Sequence, residues 1–207
     1  MFPLIPLFPP FPAATGLLKF ARYAAPLWAS GILLLWMTRY THQLGRRWGG
    51  MYYALSAVIR PAGVVFLSAG WWLVLSTCQW WSSRGGFRHD PSLDLLCVAG
   101  ALVSFGFFVW SVLALGLRRS LLFRHADDGL VTHGPYAIVR HPQFLGSIAL
   151  TLFGVLRYIE YTPAVMHWVL FSLSLWLLSI LEEKELEAHF GEAYIEYSRR
   201  VPRLFPN

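Results

Sequence analysis

The chain has 207 residues, of which 56% are hydrophobic and only 14% charged, and its mean hydropathy is +0.49. An ordinary soluble domain carries roughly 25% charged residues, so the composition excludes a soluble globular enzyme and points to one integral-membrane domain over 1–207. The formal charge of +6 does not call for nucleic acid, because the basic residues stand in short groups beside apolar runs, where membrane topology accounts for them.

Residues 1–15 hold Pro3, Pro6, Pro9, Pro10 and Pro12, which remove backbone donors and fix φ, so an extended surface segment is expected rather than a helix. The same stretch lacks the basic start and small-residue cleavage site of a leader, and none is expected. A first span is predicted over residues 20–37, with Lys19 and Arg22 able to snorkel and Arg39, Arg46 and Arg47 beyond it. A second covers 61–80 and ends on the Trp80-Trp81 pair, which suits a membrane interface. After the 82–92 loop, a third runs over 93–117, about 37 Å at 1.5 Å per residue, and is closed by Arg118, Arg119 and Arg124.

The next apolar run, 144–155 with a continuation to Tyr158, is short for a full span at about 22 Å. It reads as half of a helical hairpin whose other half, 163–181, runs without a breaker into Glu182-Glu183-Lys184-Glu185 and on to Phe190. The expected fold is thus an all-α polytopic membrane bundle of about five transmembrane helices. Twelve of the 17 Lys and Arg lie in 38–60, 118–143 and 182–207, so those segments are assigned to the cytoplasmic side of the cell (inner) membrane, with the C-terminus inside. Cys78 and Cys97 fall within apolar runs and read as small buried hydrophobes, and Trp28, Trp36, Trp71, Trp72, Trp110, Trp168 and Trp176 as packing or interfacial anchors.

The most polar and turn-rich passage lies between two apolar halves, from Gly129 to Gly146. Gly134-Pro135 marks a turn, and Pro142 suits the first position of a helix starting near His141, whose N-terminal amides would form an anion site beside Arg140 and His141. Hairpin topology would bring Arg140-His141 next to Glu182-Glu183. Taken singly, each group simply marks a span exit; together they suit a polar or zwitterionic ligand, its carboxylate on Arg140 and its hydroxyls or amine on a glutamate. Glu185, Glu187, Glu192 and Glu196 continue the acidic face and read as solvated. His125, His133 and His141, eight residues apart, match no common metal pattern, so no metal is expected. No two glycines are separated by one residue, and Gly45/Gly50 and Gly129/Gly134 lack the Lys-Ser/Thr of a phosphate loop, which excludes the usual soluble nucleotide folds.

Leu130-Val131-Thr132 before Gly134-Pro135-Tyr136, Arg140-His141-Pro142 with Gly146, Glu182-Glu183, Leu186, Phe190-Gly191, Tyr194, Tyr197 and the closing Val201-Pro202-Arg203-Leu204-Phe205-Pro206 form an ordered set. It resembles the isoprenylcysteine carboxyl methyltransferase family and its phospholipid methyltransferase relatives. The resemblance covers 113–207, leaving 1–112 as N-terminal spans. It implies an integral-membrane enzyme that takes S-adenosylmethionine from the cytosol and a membrane lipid or other lipophilic acceptor from the bilayer. It further implies cofactor contacts at Leu130, Val131, Tyr136, His141, Pro142, Phe144 and Glu182, in the region built by the hairpin, the cytoplasmic loop and the C-terminal helix. Phe144 stands where the family usually has tyrosine, and Asp128 where many members have histidine. Arg140, Glu182 and Glu183 are the candidates for catalytic positioning.

In isoprenylcysteine methyltransferases an arginine four residues before the paired glutamates is linked to the acceptor carboxylate; here that residue is Leu178. An amine or thiol, as in a phospholipid or thiol methyltransferase, or a differently held acid therefore remains open as acceptor. Leu178→Arg is expected to favour prenylcysteine. An NADPH-dependent sterol-type reductase and a non-catalytic assembly or transport factor of the same fold are the competing readings.

Overall fold

The computed structural model describes residues 90–116, 129–158 and 162–205, with the isolated positions Ala29, Gly31 and Ala62. Four α-helices make up these parts: α1 (Pro91–Leu115), α2 (Pro142–Leu156), α3 (Thr162–Phe190) and α4 (Glu192–Arg200), with a 3-10 turn at Gly134–Ala137 before α2. No strand occurs among the described residues. Helix α1 and the Ala164–Phe190 part of α3 are each long and apolar enough to cross a membrane, whereas α2 is a shorter apolar helix. The expected spans at 20–37 and 61–80, the proline-rich start, Cys78, and His125 and Asp128 lie outside the described residues.

Local chemistry explains the helix ends. Asp90 caps α1 by accepting a hydrogen bond from the Ser92 amide at 2.9 Å, with Pro91 in the first turn. That cap starts the helix two residues earlier than apolarity alone indicated. Gly116, at φ +88°, ends it, and its amide returns to the Leu113 carbonyl. Gly191, at φ +54°, plays the same part after α3, its amide bonded to the Glu187 carbonyl at 2.8 Å, and the chain restarts at once as α4. Because no proline or positive-φ residue interrupts α3 before Gly191, the helix that carries the apolar run also carries Glu182 and Glu183.

Helix α2 lies between α1 and α3 and exposes none of its residues. It runs antiparallel to α1, with Gly100 opposite Phe153 and Gly146 opposite Phe108. A Cβ on Gly146 would stand only 3.0–3.2 Å from Phe108, including its backbone, and one on Gly100 would strike the Phe153 ring. Small residues let helix backbones approach where lipid provides no hydrophobic drive for association. The buried residues of α1 are accordingly Cys97, Ser104 and Ser111, seven apart. Both serines return hydrogen bonds of 2.7 Å to carbonyls of their own helix, which satisfies the hydroxyls without a partner helix. Leu95, Leu96, Leu102, Val103 and Leu113 point outward, the inversion expected of a lipid-facing helix. At the far end of this pair, Arg157 holds Asp94 with two contacts, 3.0 and 3.2 Å.

Against α3, α2 packs Ile148 on Leu175 and Leu178, bordered by Phe144, Trp168 and Phe171. The Trp168 indole N–H donates to the Ile148 carbonyl at 3.1 Å, so the largest side chain in this contact is also polar-satisfied. The pairings fix the register that brings the start of α2 to Glu182 and Glu183.

Candidate functional site

The loop before α2 is shaped by its turn residues. Gly134 adopts φ +63°, which favours glycine, and Pro135 opens the 3-10 turn with its missing N–H at no cost. The turn sits against the end of α1, with Gly134 facing Ala114 and Trp110. Tyr136 is buried by it. The Tyr197 hydroxyl of α4 donates to the Tyr136 carbonyl at 2.6 Å, and the Gln143 amide donates to the Tyr136 hydroxyl at 3.3 Å. The segment leaving the turn is laced to the C-terminal tail: the Arg140 amide donates to the Pro202 carbonyl at 2.8 Å and the His141 amide to the Arg203 carbonyl at 3.1 Å.

Five ionisable side chains, from the start of α2, from α3 and from the C-terminal tail, meet where α2 begins and the apolar part of α3 ends. His141 Nδ1 lies 3.3 Å from Glu182 and its Nε2 lies 3.4 Å from Glu183 Oε1. Arg140 Nη2 approaches the same Glu183 oxygen at 3.1 Å, and its Nη1 donates to the Ser198 carbonyl at 3.3 Å. Arg203, from the tail, donates to Glu183 Oε2 at 2.6 Å. Glu183 is therefore the hub, shared by three basic side chains.

With both ring nitrogens facing carboxylates, His141 suits the doubly protonated imidazolium. Burial pulls its pKa down, but the contacts with Glu182 and Glu183 outweigh burial and raise it above the ordinary 6.5. Burial pushes Glu183 up, yet His141, Arg203 and the Arg140 charge hold it at about 2. Burial foremost, with Glu183 nearby, drives the Tyr194 hydroxyl well above its usual range; burial likewise pushes Tyr197 up to about 12. Neither tyrosine is a candidate base. Arg140 Nε, Arg203 Nε, His141 Nε2, Glu183 Oε1 and the Tyr194 hydroxyl are buried with no hydrogen-bond partner among the described residues, so His141 Nε2 and Glu183 Oε1 are held by charge and the cluster holds polar capacity beyond its internal contacts.

The other expected cofactor residues gather around this centre. The Phe144 ring stacks on the His141 ring with centroids 5.4 Å apart, and Pro142 between them is buried. Leu130 packs on the Leu186, Tyr194 and Tyr197 cluster beneath the tail. Val131 is half-buried beside Leu130 in the loop.

Three features add to the sequence reading. The amides expected to form an anion site are partly committed: His141 N–H to the Arg203 carbonyl, Phe144 and Leu145 N–H to the His141 carbonyl. Arg140, expected to receive a ligand carboxylate, meets a protein carboxylate through Nη2, and its Nε has no hydrogen-bond partner among the described residues. Leu178, read as the place of a missing acceptor cation, is in the apolar core with Ile148 and Leu175. Leu178→Arg would place a charge among those side chains, which is costly without a partner, so it is not a clean route to a new acceptor. Sequence reasoning gave Arg203 and Tyr194 no role, although both stand in the ordered motif set. Among the described residues, no group of three His, Cys, Asp or Glu could hold a metal ion.

Comparison with known proteins bears on this geometry. Residues 94–193 match the family model described as phospholipid methyltransferase. The chain is 30% identical over 146 residues to the Protein-S-isoprenylcysteine O-methyltransferase of Schizosaccharomyces pombe, covering 59% of this chain and 60% of that protein. The chain thus spans less than two thirds of the length of that relative. No solved structure matches.

Proposed function

We propose that the chain, whose residues 94–193 match the phospholipid methyltransferase family model, transfers a methyl group from S-adenosylmethionine to a lipophilic acceptor at the cytoplasmic face of a membrane. The observation that carries the reading is the convergence of Arg140, His141, Glu182 and Glu183 where α2 and α3 meet, inside the family-matched region. The donor set fits the molecule: carboxylates for an ammonium group or ribose hydroxyls, guanidinium groups for a carboxylate, and the stacked His141 and Phe144 rings for a flat base. Leu130, Val131, Tyr136, His141, Pro142, Phe144 and Glu182 would hold it, with Arg140 and Glu183 fixing the electrostatics.

When bound, S-adenosylmethionine supplies a methyl carried on a sulfonium, open to direct displacement with no covalent enzyme intermediate. The chain's own task is then to bind, align and exclude water. Five spans with a cytoplasmic C-terminus would let a water-soluble donor arrive from one side and a membrane-dissolved acceptor from the other. The acceptor class is left between a carboxylate, an amine and a thiol.

Calorimetric titration of the detergent-purified protein with S-adenosylmethionine and with NADPH tests the reading. Binding of the former alone is expected. His141→Ala and Glu182→Ala should each weaken it roughly tenfold to a hundredfold, the cost of a lost hydrogen bond to a charged group. Unchanged affinity in both folded variants would put the site elsewhere, and binding of NADPH instead would favour the reductase. Radiolabelled methyl transfer to prenylcysteine, phosphatidylethanolamine and a small thiol then separates the acceptors.

A further inference from the structure

Glu183 presents its two oxygens in different directions. Oε1 faces Arg140 at 3.1 Å and His141 Nε2 at 3.4 Å, and Oε2 takes the Arg203 hydrogen bond at 2.6 Å. A carboxylate on a long side chain turns freely about its last torsion unless both oxygens are held. Here the second oxygen is held from the tail, twenty residues further along the chain. The tail is itself placed by main-chain bonds from the Arg140 and His141 amides to the Pro202 and Arg203 carbonyls. Its position therefore does not depend on the Arg203 side chain. Leu204 beside it is buried, a third and independent anchor.

We propose that Arg203 is a positioning residue, whose guanidinium fixes the Glu183 carboxylate so that its other oxygen faces the His141 ring, and through that ring sets the stack on Phe144. Arg203 need not touch any ligand, and its side chain is a third exposed at the rim of the cluster. The contact chain stands on geometry alone; its consequence for donor binding rests on the function proposed above. Glu183 is faced by Arg140 and His141 from the start of α2, by Arg203 from the tail, by Tyr194 and Tyr197 from α4, and by Glu182 on its own helix.

Positioning and simple charge give opposite signs at His141. If Arg203 only contributed positive charge, removing it would make the imidazolium easier to keep and raise the His141 pKa. If Arg203 aims Glu183, removing it lets Oε1 turn away, and the His141 pKa falls toward 6.5.

The test is histidine-selective NMR titration of the full chain in detergent micelles, with His141 assigned through His141→Gln. It compares the unaltered protein with Arg203→Gln and Arg203→Lys, each checked for unchanged helix content. A lowered His141 pKa in Arg203→Gln, with a smaller drop in Arg203→Lys, is the expected result. A raised or unmoved value in Arg203→Gln overturns the proposal. Calorimetry with S-adenosylhomocysteine on the same proteins is expected to show roughly tenfold weaker binding in Arg203→Gln. If the unaltered protein binds no S-adenosylhomocysteine, the donor-site reading fails, and the direction of the His141 titration still decides the role of Arg203.

Discussion

At one end of α2, Arg157 meets the single carboxylate of Asp94, and the two side chains are 39% and 30% exposed; at the other, Arg140, His141 and Arg203 share Glu183, whose side chain is 12% exposed. Water can solvate either member of the first pair if the other is lost, so its net contribution is small even though its geometry is bidentate. Little water reaches Glu183, and three basic side chains share it, two of them largely buried, so deleting the hub strands charges that burial makes costly. The comparison teaches that the count of ion pairs says little. How many groups share one buried carboxylate decides which end of the helix tolerates change.

The largest expected effect is that of Glu183→Ala, which should lower stability by about 3–5 kcal/mol, the cost of breaking a buried charge network. Denaturant unfolding in detergent measures it, and a loss of under about 1 kcal/mol would erase the distinction between the two ends. Next in size is the response to pH. Glu183 sits at about 2, below its ordinary 4.5, so its contribution is complete above 4.5 and is lost as pH falls toward 2. His141 is raised above 6.5, so its contribution is complete below 6.5 and is lost as pH rises through the higher folded value. The unfolding temperature should therefore be highest between those limits and decline on both sides, and Glu183→Ala should flatten the acid side. A profile unchanged by that substitution would mean that other groups govern the titration. The smallest effect belongs to Asp94→Asn, about 0–1 kcal/mol and reduced further by salt. A larger loss there would make the Arg157 end a second network rather than a local pin.

What the sequence made legible was what short-range rules carry. Pro142 announced the start of α2, Gly134-Pro135 its turn, and the unbroken run through Glu182-Glu183 the extension of α3 beyond its apolar part. Arg140, His141, Glu182 and Glu183 could be grouped because their order along the chain makes an antiparallel pairing natural. Which glutamate is the hub could not be read, because two adjacent positions on a helix differ by about 100° in direction and only the register against α2 decides between them. Arg203 was hidden for a related reason: its place depends on main-chain bonds to residues 140 and 141, and such bonds leave no mark on side-chain identity. What surrounds Leu178 was also hidden: it packs on Ile148 and Leu175, a contact that only the α2–α3 register reveals. The close approach of α1 and α2 was hidden too, since the part played by Gly100 and Gly146 shows only once the opposing Phe153 and Phe108 are known.

The uninterrupted course of α3 has a mechanical meaning. Between Ala164 and Glu183 lie 19 steps of a helix, about 28 Å, with no hinge to absorb a change of slope. A stiff rod pivoting at its far end by 5° moves its other end by about 2.5 Å, close to the length of the hydrogen bonds that hold the hub. Helices that are too long or too short for their bilayer adjust by tilting. In a bilayer, a change in the tilt of α3 would therefore alter the spacing between Glu183 and its three cations, with the Trp168 to Ile148 contact near the pivot.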